Sequence, residues 1–261
     1  MRPIRLFWWQ HQRDPTIRNF GDWLSPLIVE LVSGRSVEHA PLDQCELVAI
    51  GSLIEAVLDS PRSEPVQLWG TGFIREGPAT SDRRVRVAAL RGPLTAGRFE
   101  HVPDTALGDA GLLCHHLLGR VPPKKYALGV VAHYVDLELP LINEYRRHGR
   151  YPILSPLMRP RDFVHAVAEC EAIVSSALHG IVTADSLGIP NRWTVLSESV
   201  LGKGYKFRDY LGLFGVPDVT PIDLPRPDQV TQDFIDSIVV GYHRPGLETI
   251  QERLVSAFPQ L

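Results

Sequence analysis

Between Ala168 and Pro190 the sequence reads AECEAIVSSALHGIVTADSLGIP, which sets two hydroxyls, an imidazole and a glycine within the stretch Ser175 to Gly180. A histidine such as His179 can move a proton near neutral pH, and Gly180 beside it lets an anion approach the backbone closely. If these residues stand where a strand ends and a helix begins at Leu178, the free N–H groups of the first turn add about half a positive charge. The combination describes an anion site with a proton-transfer group. Each residue alone also suits a plainer role, Ser175 or Ser176 as a helix cap and His179 as a hydrogen-bonded core histidine.

Other polar residues fall at similar junctions. Asn19-Phe20-Gly21-Asp22 precedes an apolar helical pattern, so Asn19 or Asp22 caps that helix, or Asp22 faces a cleft at the end of the preceding strand. Arg91 stands before Gly92-Pro93, a helix start. Its planar fork matches a carboxylate or phosphate, a surface ion pair being the alternative. His133 opens His133-Tyr134-Val135-Asp136, and Lys203 and Lys206 belong to a basic, aromatic run ending at Leu211. No histidine and carboxylate cluster has metal-ligand spacing, and there is neither G-x-G-x-x-G nor a P-loop. Neither a metal nor a nicotinamide or Walker-type nucleotide site is therefore expected.

The elements that must hold these residues alternate. Strands are predicted at Ile4–Trp9, Glu46–Ile50, Val66–Trp69, Val85–Leu90, Tyr126–Ala132, Tyr151–Leu154, Ala172–Val174 and Arg192–Leu196, with a shorter one at Ala106–Leu107. Helices are predicted over 23–33, 94–101, 108–118, 143–148, 160–170, 178–187, 234–240 and 246–258, several closed by glycine, with a helical turn or two over 53–59. Val121-Pro122-Pro123-Lys124-Lys125 reads as a linker. The expected fold is α/β, two Rossmann-like doubly wound domains, 1–122 and 123–261, facing each other across a cleft as in the GT-B architecture.

Composition narrows the classes. Apolar residues make up 44% and charged residues 22%, as in an ordinary globular enzyme, and a net charge of −3 argues against a general nucleic-acid binder. Cys45, Cys114 and Cys170 are far apart and odd in number, which fits a reducing cytoplasm rather than a disulfide framework. The apolar run near the N-terminus is too short for a signal peptide or a membrane span, so a soluble chain is expected. Trp8 and Trp9 leave open a contact with a sugar or the inner face of the cell membrane, although aromatic residues ending a buried strand are commoner.

Taken together, Asn19-Phe20-Gly21-Asp22, Gly51-Ser52, Trp69-Gly70-Thr71-Gly72, Arg91-Gly92-Pro93, Gly108 to Leu113, His133 to Asp136, Ser175 to Gly180 and Lys206 to Tyr210 resemble the polysaccharide pyruvyltransferase family. The resemblance covers residues 4 to 215, most closely to the ketal pyruvate transferases of exopolysaccharide synthesis. It implies phosphoenolpyruvate as donor, no cofactor, and a sugar acceptor, free or lipid-linked, on an exopolysaccharide or cell-surface glycan precursor. By the same resemblance Arg91, Leu178 and His179 are donor-binding residues. Ser175, Ser176, Gly180, Asn19 and Gly21 join them in lining the substrate site. Many members have arginine where this chain has Ala177, so Lys203 or Lys206 is expected to supply the missing charge. His179 or His133 is the candidate acid and Asp22 the candidate base. The alternatives are a GT-B-type nucleotide-sugar glycosyltransferase and a non-catalytic binding relative.

Overall fold

The computed structural model describes residues 2–11, 18–102, 104–216 and 219–261. In chain order the first half carries β1 (Ile4–Phe7), α1 (Phe20–Ser33), β2 (Val37–His39), β3 (Leu47–Val48), α2 (Ile54–Asp59), β4 (Val66–Thr71), β5 (Val85–Leu90), α3 (Pro93–Ala96) and β6 (Ala106–Leu107), then a 3-10 segment, Ala110–Leu117. The second half carries β7 (Tyr126–Val131), α4 (Pro140–His148), α5 (Pro160–Ala168), β8 (Cys170–Ser175), α6 (Leu178–Ser186), β9 (Asn191–Trp193), α7 (Tyr205–Leu211), α8 (Gln232–Val240) and α9 (Leu247–Ser256). Every strand pairing is parallel. That explains why β4 and β8 are apolar runs rather than alternating ones, since helices cover both faces of such sheets.

The strand orders locate the places where a ligand can enter. The six-stranded sheet runs β2-β1-β3-β4-β5-β6. The three-stranded sheet runs β7-β8-β9, extended by isolated parallel bridges from Ile153 to Val130 beside β7 and from Ile222 to Thr194 just beyond β9. Each half therefore starts in the interior of its sheet, steps to one side, and then crosses back to the other. Such an order reverses once, and a crevice opens at the carboxyl ends of the two strands flanking the reversal. In the first half these strands are β1 and β3, and in the second β7 and β8.

One apolar core joins the halves. Ile4, Leu6, Leu47 and Trp69 of the first sheet share a buried cluster with Ile173, Ile181 and Val182 of the second half, and the rings of Phe20 and Phe163 stack 4.2 Å apart between α1 and α5. The helix α9 returns to the first sheet, where the Trp69 indole N–H donates to the Leu254 carbonyl at 2.9 Å and Phe258 packs edge-on to the same ring. Two further clusters lie on the outer faces of the sheets.

A buried ion pair holds α7 against the first sheet. Arg91, at the end of β5, and Asp209, on α7, are both fully buried, with Nε 2.9 Å from Oδ2. The backbone N–H and hydroxyl of Thr95 donate to the two oxygens of Asp209, and the remaining Arg91 nitrogens donate to Ser52 Oγ and the Phe73 carbonyl. Gly92 and Gly72 are required by this packing. A Cβ on Gly92 would lie 2.0 Å from the Asp209 carbonyl oxygen, and one on Gly72 would lie 2.4 Å from the Arg91 guanidinium carbon.

Several expected elements differ. The helix predicted over 94–101 stops at Ala96, and the 108–118 helix is a 3-10 segment capped by Asp109, whose carboxylate accepts from the Gly111 N–H at 2.8 Å. The strand expected at Tyr151–Leu154 is reduced to the single bridge at Ile153, while β2, which carries no apolar alternation, forms by pairing with β1. The Pro122-Pro123 stretch is irregular, as expected, and Lys124 pins it to the carbonyls of Ala168 and Cys170.

The ion pair yields a stability prediction. Asp209→Ala strands a buried guanidinium and is expected to lower the unfolding free energy by about 3–5 kcal/mol, measured by urea denaturation. Replacing both partners with apolar residues should recover much of that loss. A single variant within about 1 kcal/mol of the parent would show that the pair does not hold α7 in place.

Candidate active site

Both sheet reversals open on the same cavity, of about 330 Å³. From the first half Trp9 lies beyond β1, Gly51 and Ser52 lie beyond β3, and Asn19 and Asp22 lie at the start of α1. From the second half Val131 ends β7 and His133 lies just beyond it, Ala177 to Gly180 lead from β8 into α6, and Lys206 comes from α7. The start of α1 is fixed by Asn19, whose side chain accepts from the Gly21 N–H at 3.1 Å. The start of α6 has no side-chain cap. Ser175 Oγ instead makes a closed turn, accepting from the Ala177 N–H and donating to the Ala177 carbonyl.

Four ionisable groups of the cavity are shifted from their ordinary values. Burial raises Asp22 to about 7, against the opposing pull of Lys206. Burial, reinforced by Arg91 and opposed by Asp22, lowers Lys206 to about 8. His133 is lowered to about 4 by burial and by Lys206. His179 is lowered to about 3 by burial, then by Lys206, Arg91 and His133. Near neutral pH both imidazoles are thus uncharged, Asp22 holds a proton about half the time, and Lys206 carries the cavity's positive charge.

The sequence-predicted residues divide clearly. Asn19, Asp22, His133, Leu178, His179, Gly180 and Lys206 line the cavity. Arg91 does not. Its guanidinium lies behind the wall and reaches the cavity only through the hydroxyl of Ser52, so the surface ion pair weighed for it is in fact a buried one. Ser175 and Ser176 are buried behind the α6 turn. Ser176 accepts from the His133 N–H and donates to Asp136, so it positions His133 instead of capping a helix. Gly21 makes room: a Cβ there would lie 1.9 Å from His179 Nδ1. Lys203 is exposed and lines an outer groove with Glu198 and Phe207.

Residues outside the predicted set of site residues also stand here. Trp9, 44% exposed, forms part of the cavity wall, and Glu55 lines it while accepting from the Ile74 N–H at 3.1 Å. Ser52 was visible only as a small residue after a strand. Asp109 lies deeper, its Oδ2 3.7 Å from His179 Nε2, and neither atom has a hydrogen-bond partner among the described residues.

The comparison with known sequences agrees with this geometry. A profile described as polysaccharide pyruvyl transferase matches residues 4–195, a span that contains both sheet reversals. The chain belongs to the polysaccharide pyruvyl transferase family. It is 24% identical over 216 residues to the succinoglycan biosynthesis protein ExoV of Rhizobium meliloti (strain 1021), covering 82% of this chain and 66% of that one. It is also 34% identical over 128 residues to an uncharacterised protein of Acanthamoeba polyphaga mimivirus, covering 45% of this chain and 43% of that protein. The matched stretch thus spans just under two thirds of the first relative and less than half of the second. Among the described residues no helix is long and apolar enough to cross a membrane.

The shifted groups give a pH prediction with a definite sign. Asp22 is raised from 3.8 to about 7, so its contribution to stability is fully present below pH 3.8 and is lost as the pH rises through 7. The two histidines act oppositely, their contributions being present above 6.5 and lost as the pH falls through about 4 and 3. In urea titrations, the stability difference between the parent and Asp22→Asn is expected to move against the parent between pH 4 and 7.5. A difference that stays constant over that range would show that Asp22 is not buried in this way.

Proposed function

We propose that this protein transfers the pyruvyl group of phosphoenolpyruvate to two hydroxyls of a sugar on an exopolysaccharide or cell-surface glycan precursor, forming a ketal and releasing phosphate. The observation that carries the reading is the meeting, in one cavity at both sheet reversals, of a cation with neutral imidazoles and a protonatable carboxyl. Under this reading the halves 1–122 and 123–261 act as the two Rossmann-like domains of a GT-B-like enzyme, the first on the acceptor side and the second on the donor side. The donor is a substrate, and the reaction calls for no cofactor. The place of action is the cytoplasm, where a lipid-linked acceptor would bring the enzyme to the inner face of the membrane.

The donor carries a carboxylate and a phosphate, and it meets Lys206 together with the unpaired N–H groups at the start of α6. Lys206 takes the place of the arginine expected at position 177, where Ala177 leaves the wall open. Under this reading the acid and base roles are the reverse of those expected from the sequence, in keeping with the shifts of Asp22 and His179. A neutral His179 accepts the proton of the first acceptor hydroxyl as its oxygen bonds to C2 of the enol, while protonated Asp22 delivers a proton to C3. The C2–O bond to phosphate then breaks, and phosphate leaves with the proton held by His179. The second hydroxyl closes the ketal and returns its proton to Asp22, so both groups are restored. Neutral His133 lies alongside as a hydrogen-bond partner for the acceptor or the leaving phosphate.

The test is acceptor-dependent phosphate release from phosphoenolpyruvate, followed with thermal unfolding on the same preparations. His179→Gln should lose most release while its midpoint stays within a few degrees, as for a change costing under about 1 kcal/mol. Lys206→Met should weaken donor binding by about 1–3 kcal/mol, and Lys203→Met should leave it unchanged. Equal weakening in both lysine variants would remove the special place given to Lys206, and donor turnover by His179→Gln at the parent rate would overturn the catalytic assignment.

A further inference from the structure

The structure assigns Asp109 as the positioning residue that fixes the proton of His179 on Nε2 and so turns the basic lone pair of Nδ1 toward the cavity. This rests on the role proposed for His179 but concerns a residue that takes no part in the cavity wall. Asp109 is fully buried at the cap of the 3-10 segment Ala110–Leu117. Its Oδ1 is held by the Gly111 N–H at 2.8 Å, which sets the plane of the carboxylate. Its Oδ2 is buried, and 3.7 Å away lies His179 Nε2, also buried, neither with a hydrogen-bond partner among the described residues. Two orphaned polar atoms are costly, and a pair facing each other across slightly more than a hydrogen-bond length is relieved by one proton between them. Catalytic hydrogen bonds in empty sites are often long and tighten on binding.

The opposite edge of the ring decides which tautomer is useful. Nδ1 and Cε1 lie against the bare α-carbon of Gly21, next to Asp22 and at the cavity wall. With the proton on Nε2, Oδ2 accepts and Nδ1 is free to take a proton from an acceptor hydroxyl. With the proton on Nδ1, two lone pairs would face each other at the buried edge and the cavity would lose its base. Burial raises Asp109 to about 6, opposed by the Gly111 N–H and Arg91 and helped by Asp209, so the carboxylate is mostly ionised above neutral pH. The remaining charged group near the ring is Lys206, and His133 adds a further titratable one.

The experiment reads the tautomer directly by long-range proton–nitrogen correlation at pH 7.5, the His179 signals being those lost in His179→Gln. The parent is expected to show a protonated Nε2 and an unprotonated Nδ1. Asp109→Asn keeps an oxygen for the Gly111 N–H and turns an amide N–H toward Nε2, so the pattern should reverse. In the phosphate-release assay the same variant should lose ~10³–10⁴-fold in kcat, as when a histidine base is forced into the wrong tautomer, with the KM for phosphoenolpyruvate little changed. A parent with the proton on Nδ1, or an identical pattern in parent and variant, would overturn the assignment. The parent spectrum decides even if the variant does not fold. Tautomer reversal in a chain that never releases phosphate would uphold Asp109 and sink the pyruvyl-transfer reading instead.

Discussion

The Arg91–Asp209 pair is the constraint on which the site depends. Neither charge meets water, so the desolvation of both must be offset by hydrogen bonds, and the structure supplies them from Thr95, Ser52 and the Phe73 carbonyl. Because Asp209 lies three residues after Lys206 on α7, both project to the same side of that helix. Holding one therefore aims the other. The small residues Gly72 and Gly92 follow from the same requirement, since the guanidinium and the α7 backbone occupy the space that side chains there would need.

The fixed positive charge behind the wall also shapes the acid–base state of the cavity. Arg91 does not line the cavity, yet its field lowers both Lys206 and His179. The imidazoles stay neutral because they are desolvated beside cations, and Asp22 is raised to about 7 because desolvation outweighs the pull of Lys206. Such separation of ordinary values is how one pocket comes to hold an acid and a base at a single pH. It keeps both imidazoles neutral well below their ordinary range and lets Asp22 hold a proton far above the usual carboxylate range.

Much of this was legible in the sequence because polar residues after apolar runs mark carboxyl ends of parallel strands. That rule pointed to Asn19, Asp22, His133 and His179, which line one cavity with Lys206. It failed for Arg91, whose partner lies 118 residues away and has no local signature. It did not show what Ser176 does for a similar reason, since its bonds to Asp136 and His133 join elements that are not adjacent in sequence. The 3-10 segment was read as a helix because its apolar spacing fits either period over eight residues. Asp109 was visible only as part of a motif, and its orphaned oxygen is a property of three-dimensional packing.

The return of α9 to the first sheet has a consequence for how the chain assembles. Trp69 is completely buried, but its indole N–H and one face of its ring are satisfied by Leu254 and Phe258, and the first of these contacts spans 185 residues. During synthesis the first sheet leaves the ribosome with an apolar face and a polar N–H that nothing nearby can cover. Contacts of such high sequence separation carry a large loop-closure cost and form late. The nascent first half is therefore a sticky, incomplete body until α9 arrives, and the second half is made while the first still waits for its closing piece.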